Sequence, residues 1–157
     1  MYKRQIQDKP RFVWRGLLLD VARHFFPLAA LKSVIDGLAA LKMNVLHLHL
    51  SDDQGFRFPS AAFPNLASDD HYTAKELREL VTYAADRAVR IVPELDMPGH
   101  VTSWLVSHPE WGTQKTEASR RFGVHKACLN PLDEAVYQAI EVLLGEVAGI
   151  FPDEYLQ

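Results

Sequence analysis

Residues 73–100, TAKELRELVTYAADRAVRIVPELDMPGH, decide the fold class. Thr73 and Glu76 have the T-x-x-E spacing of a capping box, which satisfies two amides at a helix start. The spacing predicts a helix over 73–88, with Leu77, Leu80, Val81 and Ala84 on one face. Only Val89 separates it from the apolar run 90–95, which reads as a strand. Asp96, Gly99 and His100 follow that strand. A helix feeding a strand through one residue, with polar residues at the strand's far end, is a unit of a parallel α/β sheet.

Upstream, the pattern repeats. Leu17, Leu18, Leu19 and Val21 form a nearly continuous apolar run after Gly16, as expected of a strand buried on both faces. Beyond Pro27, Leu28, Leu31, Ile35 and Leu38 recur at helical spacing, and 45–50 is the next strand. Downstream, 97–129 is broken by Pro98, Gly99, Pro109, Gly112 and Gly123 and reads as loop with one short helix. Asn130 and Pro131 suit the cap and first position of a helix with Val136, Ile140, Leu143, Leu144, Val147 and Phe151 on its core face, and 155–157 reads as the start of a fourth strand. The alternation fits an open doubly wound sheet or a (β/α) barrel.

Composition narrows the partners. The 157 residues suffice for one domain burying about two-thirds of its unfolded surface. A net charge of −3, with 17 basic and 20 acidic residues interspersed, argues against nucleic acid or an anionic membrane as partner and leaves a small neutral or polar ligand. Cys128 is the only cysteine, so a disulfide framework and a cysteine metal cluster are both excluded. No stretch approaches the ~18 apolar residues of a membrane span or forms a signal peptide, and the compartment stays open.

The chemistry-bearing residues gather after the strands: Arg23 and His24 after the first, Ser51 to Gln54 after the second, Asp96 to His100 after the third. In barrels and open α/β sheets alike, that edge carries the ligand site. Of the adjacent pair, one of Asp52 and Asp53 can orient a histidine while the other caps the following turn. Glu94 and Asp96 share a strand face, and Pro98-Gly99 turns His100 back toward them. His47 and His49 also share one face and, with His100, offer a metal-hydrolase alternative; mutual hydrogen bonding with neighbouring carboxylates is the competing reading. Arg15 precedes the first strand, at the end where an arginine is ordinarily structural.

Four stretches, FVWRGLLLDVARHFFP (12–27), KMNVLHLHLSDDQGFRF (42–58), YTAKELRELVTYAADRAVRIVPELDMPGH (72–100) and LNPLDEAVYQAIEVLLGEVAGIFPDEYLQ (129–157), resemble, in order and spacing, the first part of the catalytic domain of the family 20 glycoside hydrolases, the β-N-acetylhexosaminidases. The resemblance implies a partial (β/α)8 TIM barrel comprising three βα units and the start of strand four. It also implies removal of terminal β-linked N-acetylglucosamine or N-acetylgalactosamine by a substrate-assisted route, without metal or cofactor. By the resemblance, Arg15 grips hydroxyls of the terminal sugar, Asp52 pairs with His100 as a supporting dyad, and Asp96 joins that network in contact with substrate. His47-Leu48-His49 stands where the family often has H-W-H, and Phe56 where it often has Trp. The family's H-x-G-G-D-E, which supplies the acetamido-positioning Asp and the general acid Glu, has no match in the 157 residues, so the chain is expected to stop short of that pair. A self-associating or carbohydrate-binding half barrel, completed by a second copy or by a C-terminal remainder, is the reading from another class.

Overall fold

Leu46, Leu48 and Leu50 are wholly buried and form the floor of the core. In the computed structural model, which describes residues 5–123 and 125–157, they belong to the central strand of a parallel sheet. The elements run β1 (Gly16–Asp20), α1 (Leu28–Ala40), β2 (Val45–Asp52), β3 (Gly55–Phe56), α2 (Ala74–Ala85), β4 (Arg90–Leu95), α3 (Thr102–Ser107) and α4 (Glu134–Ala148). β2 lies between β1 and β4, parallel to both, and β3 turns back on its end. One face of β2 packs on Leu31, Ile35 and Leu38 of α1 and Leu77, Leu80 and Ala84 of α2, within one continuous core. Because strand side chains alternate, His47, His49 and Ser51 point to the other face. The register then sets Asp20, His49 and Glu94 side by side across the three strands.

Local chemistry explains the boundaries. Thr73 and Glu76 close the expected capping box, with Glu76 N donating to Thr73 Oγ1 at 3.2 Å and Thr73 N to Glu76 Oε2 at 2.8 Å. The last helix starts at Glu134, later than Asn130-Pro131 suggested, because the Asp133 side chain caps it by accepting from Ala135 N. Both α1 and α2 end in a left-handed residue, Lys42 and Ala88, each with φ 56°. The paired bonds Met43 N to Leu38 O and Lys42 N to Ala39 O, repeated as Val89 N to Ala84 O and Ala88 N to Ala85 O, are Schellman motifs. A β-carbon is strained there, so Ala88→Gly is expected to raise stability by about 0.5–1 kcal/mol in urea denaturation with an unchanged m-value.

β1 departs from expectation. Leu17 and Leu18 are 43% and 51% exposed rather than buried on both faces. Among the described residues β1 has one strand neighbour, β2, so its other edge and part of its surface stay open. At the opposite side of the sheet, Gln157 N donates to Pro93 O and Leu95 N to Gln157 O, both at 3.0 Å, so the chain's last residue lies along β4 although 155–157 form no defined strand.

Two long-range clamps fix the loop after β3. Arg57 is buried and donates to Val21 O, Ala22 O and Asp70 O at 2.6–3.0 Å. Gly55 makes room for it, since a β-carbon there would lie 2.5 Å from the guanidinium. Glu146 of α4 accepts from Ser60 Oγ, Ala61 N and Ala62 N at 2.6–2.9 Å.

Candidate active site

The polar row across the sheet leads to one buried carboxylate. His49 donates from Nδ1 to Glu94 Oε1 and from Nε2 to Asp52 Oδ2, both at 2.8 Å, and Glu94 also pairs with His47. Asp52, at the end of β2 and 0% exposed, takes Arg23 Nη2 on the same Oδ2 at 2.7 Å. Its Oδ1 accepts from His100 Nδ1 at 3.0 Å and from Asp53 N at 2.7 Å. One carboxylate thus holds two imidazoles, an arginine and its own turn.

The adjacent acid does different work. Asp53 Oδ1 accepts from Thr102 N at 3.1 Å and from the Thr102 hydroxyl, which ties the start of α3 to the end of β2, and Asp53 Oδ2 stands 3.2 Å from His100 Nδ1. His100 has φ 56°, a left-handed backbone uncommon outside glycine, which turns its ring back to Asp52. About a third of its side chain stays exposed, so one edge of the ring is open for a ligand or another group.

Electrostatics follow from this packing. Burial opposes charge on His49, but hydrogen bonds to Asp52 and Glu94, with the fields of Glu94 and Asp20, outweigh it and push its pKa up to about 9. Burial likewise opposes the Asp52 carboxylate, yet His49, the Asp53 amide, Arg23 and His100 together hold its pKa below the ordinary value. Asp96 is raised, chiefly by burial, with nearby Glu94 and Asp52 adding to it and the positive fields of His100 and His49 opposing.

Asp52, His100 and Asp96 come together as the sequence suggested: an oxygen of Asp96 lies within 4.8 Å of ligand-type atoms of both His49 and Asp52. Arg15 does not. Its Nε donates to Lys42 O at 2.7 Å and its Nη1 to Phe12 O at 2.6 Å, stapling the segment before β1 to the α1–β2 connection. Five strand residues, about 16 Å at ~3.3 Å each, separate it from the working edge. Arg23 holds the place instead, ion-paired to Asp20 at 2.6 Å and to Asp52, and lining a cleft with Phe25, Asp53, Gln54, Asn65 and Ser103. The strand-end rule pointed to Arg23; nothing in the sequence showed that Arg57, whose carbonyl partners are distant in the chain, would be buried beside it.

The set His47, His49 and His100 forms no ligand cluster among the described residues. Both ring nitrogens of His49 face carboxylates, His47 pairs with Glu94, and His100 turns Nδ1 to Asp52 and Asp53. An imidazole that donates on both sides has no lone pair for a cation, so the metal-hydrolase alternative loses its central ligand.

A parallel α/β sheet with a carboxylate–imidazole–arginine cluster at the C-terminal ends of its strands is the architecture of an α/β enzyme domain. The chain belongs to glycosyl hydrolase family 20: the model of that family's catalytic domain matches residues 12–157. It is 37% identical to the beta-hexosaminidase subunit beta of Entamoeba histolytica over 161 residues, covering 96% of this chain and 28% of that protein. It is 39% identical to a beta-hexosaminidase of Akkermansia muciniphila, covering 94% of this chain and 34% of that protein. Among solved structures, the Flavobacterium johnsoniae chitobiase superposes with TM-score 0.91 at 43% identity, over 94% of this chain and 23% of that one. A mutant Streptomyces plicatus beta-hexosaminidase in complex with product (GlcNAc) superposes with TM-score 0.91 at 38% identity, over 95% of this chain and 32% of that one. The chain therefore spans about a third or less of the length of these relatives, and its α/β fold matches the corresponding part of their catalytic domains.

Proposed function

We propose that these residues form the N-terminal portion of a β-N-acetylhexosaminidase barrel, three βα units and the start of a fourth strand, and contribute the sugar-gripping and dyad half of its site. The observation that carries this reading is Asp52, which binds Arg23 and His100 on its two oxygens at the working edge of the sheet. Arg23 suits sugar hydroxyls: a guanidinium partly open to a cleft still has donors to offer. His100, held on Nδ1 by Asp52, can orient or share a proton with the general acid through its other nitrogen. Asp96, whose pKa burial raises, lies in the same polar network and can hold a substrate hydroxyl. In the substrate-assisted route the acetamido oxygen attacks the anomeric carbon as the leaving oxygen takes a proton. That proton comes from the H-x-G-G-D-E acid of the family, which has no counterpart in the 157 residues.

The test is hydrolysis of an aryl β-N-acetylglucosaminide. The 157-residue chain alone is expected to release no aryl alcohol, and a longer form that adds the acid-bearing strand is expected to release it. In that longer form Arg23→Ala should raise KM by roughly ten- to a hundredfold, the loss of a charged hydrogen bond worth about 1.5–3 kcal/mol. Turnover that purifies with the 157-residue chain, or an Arg23→Ala variant with both constants unchanged, overturns the reading.

A further inference from the structure

Three elements converge on His49, a residue that the proposed mechanism leaves unused. It is 4% exposed and sits in the middle strand, with Asp20 of β1 on one side and Glu94 of β4 on the other. Both ring nitrogens are engaged at 2.8 Å, Nδ1 by Glu94 and Nε2 by Asp52. Asp52 lies one helical-turn spacing beyond it in the chain, yet the two meet because the strand bends there: the β2–β4 register slips between His49 and Ser51. Irregularities of this kind re-aim side chains beside functional sites.

The consequence falls on Asp52. A carboxylate held only by Arg23 and His100 could rotate about its terminal torsion, which is broad and roughly two-fold. The imidazole from below takes Oδ2 together with Arg23, and the Asp53 amide takes Oδ1 together with His100. Glu94 in turn holds the imidazole and is itself paired with His47.

We infer that the Glu94–His49 pair is a positioning device, in which His49 locks the Asp52 carboxylate so that one oxygen serves Arg23 and the other serves His100, and so couples sugar grip to dyad through a single group. His49 acts through Asp52 and touches no substrate. The inference deepens the proposed function for its kinetic consequence only; the locking itself can be read without catalysis. The groups facing His49 are Asp20 from β1, Asp52 from β2, Glu94 from β4 and Asp96 after it, while His47 reaches it through Glu94, and Arg23 and His100 through Asp52. Carboxylates predominate, in keeping with a cationic ring.

The experiment is a histidine NMR titration of the 157-residue chain. In the wild type, the His49 ring should titrate near 9 and His100 should show a second, smaller inflection at the same pH, because the two rings share Asp52. In His49→Gln, which removes the titrating ring from the far side of Asp52, the response of the His100 ring signals near pH 9 should vanish. In Glu94→Gln, which removes one of the carboxylates that raise it, the His49 midpoint should fall. A folded His49→Gln whose His100 ring signals still move near pH 9 overturns the inference. Should that variant not fold, a wild-type His49 that titrates below 7, or a His100 curve with no inflection near 9, overturns it equally. In an active longer form, His49→Gln should lower kcat by roughly ten- to a hundredfold with little change in KM, the size that partners standing behind a functional group commonly carry. A coupled titration without hydrolysis would leave the inference standing and remove the proposed function; hydrolysis with uncoupled titrations would do the reverse.

Discussion

Asp52→Ala is expected to destabilise the chain by about 3–5 kcal/mol, a large share of the 5–15 kcal/mol typical of a domain, and so to bring it close to unfolding at room temperature. The reason is arithmetic of charge. Asp52 is wholly buried and faces three groups that carry or can carry positive charge, His49, Arg23 and His100. Removing it strands a buried imidazolium and half of a guanidinium pair. Asp52→Asn keeps the shape and some hydrogen bonds, so it should cost less. Urea denaturation followed by circular dichroism reads both, and a loss under 1 kcal/mol for Asp52→Ala would mean that the cluster is not held by this carboxylate. The wild-type pH profile belongs to the same prediction. His49 is raised in the fold, so its contribution is complete below its ordinary pKa near 6.5 and is lost as pH climbs through about 9, a fall of up to about 3 kcal/mol. Asp52 is lowered, so its contribution is complete above the ordinary 3.8 and is lost as pH falls through the lower folded value. Stability should therefore peak between about 4 and 6.5, and Asp52→Ala should flatten both flanks.

Self-association is the second large effect. Leu17 and Leu18 of β1, with Val13 and Trp14 just before it and Tyr155 and Leu156 across the sheet, are all more than a third exposed. The unpaired edge of β1 adds open amides and carbonyls, and a net charge of −3 gives little repulsion. Burying ~800 Å² of apolar surface per chain at ~25 cal/mol per Å² yields about 20 kcal/mol per chain before association costs, so two copies, or this chain with a segment that completes the sheet, should pair. Light scattering across a concentration series should show a dimer or larger species at micromolar concentration, and Leu18→Lys should return it toward monomer. A wild-type monomer that persists at high micromolar concentration, with no second polypeptide bound, defeats this expectation.

What the sequence made legible was local. The capping box of Thr73 and Glu76, the helical faces and the first three strand runs depend on residues within a few positions of one another and form close to the expected bounds, whereas 155–157 form no defined strand. β1 is more open than its apolar run suggests, because such a run looks the same whether or not a neighbouring strand covers it. For the site, alternation placed His47 and His49 on one face, but only the strand register shows His49 beside Glu94 and Asp20. Arg15 and Arg23 show the limit of motif reading: the rule that sites lie beyond strand C-termini favoured Arg23, while the W-R-G motif drew attention to an arginine that spends its donors on Lys42, Phe12 and Val13 carbonyls. The division of labour between Asp52 and Asp53 depends on Thr102 and His100, some fifty residues away.

Glu146 reaches back 84–86 positions to hold residues 60–62. A ribosome adds about 5–20 residues per second. The loop beyond β3 is therefore made roughly 4–17 s before its anchor exists. During that interval the strands of the sheet and Arg57 can already settle, since their partners lie among the first hundred residues. Fastening of residues 60–62 is thus a late event of synthesis, coming after the strands that carry the polar cluster have met their partners.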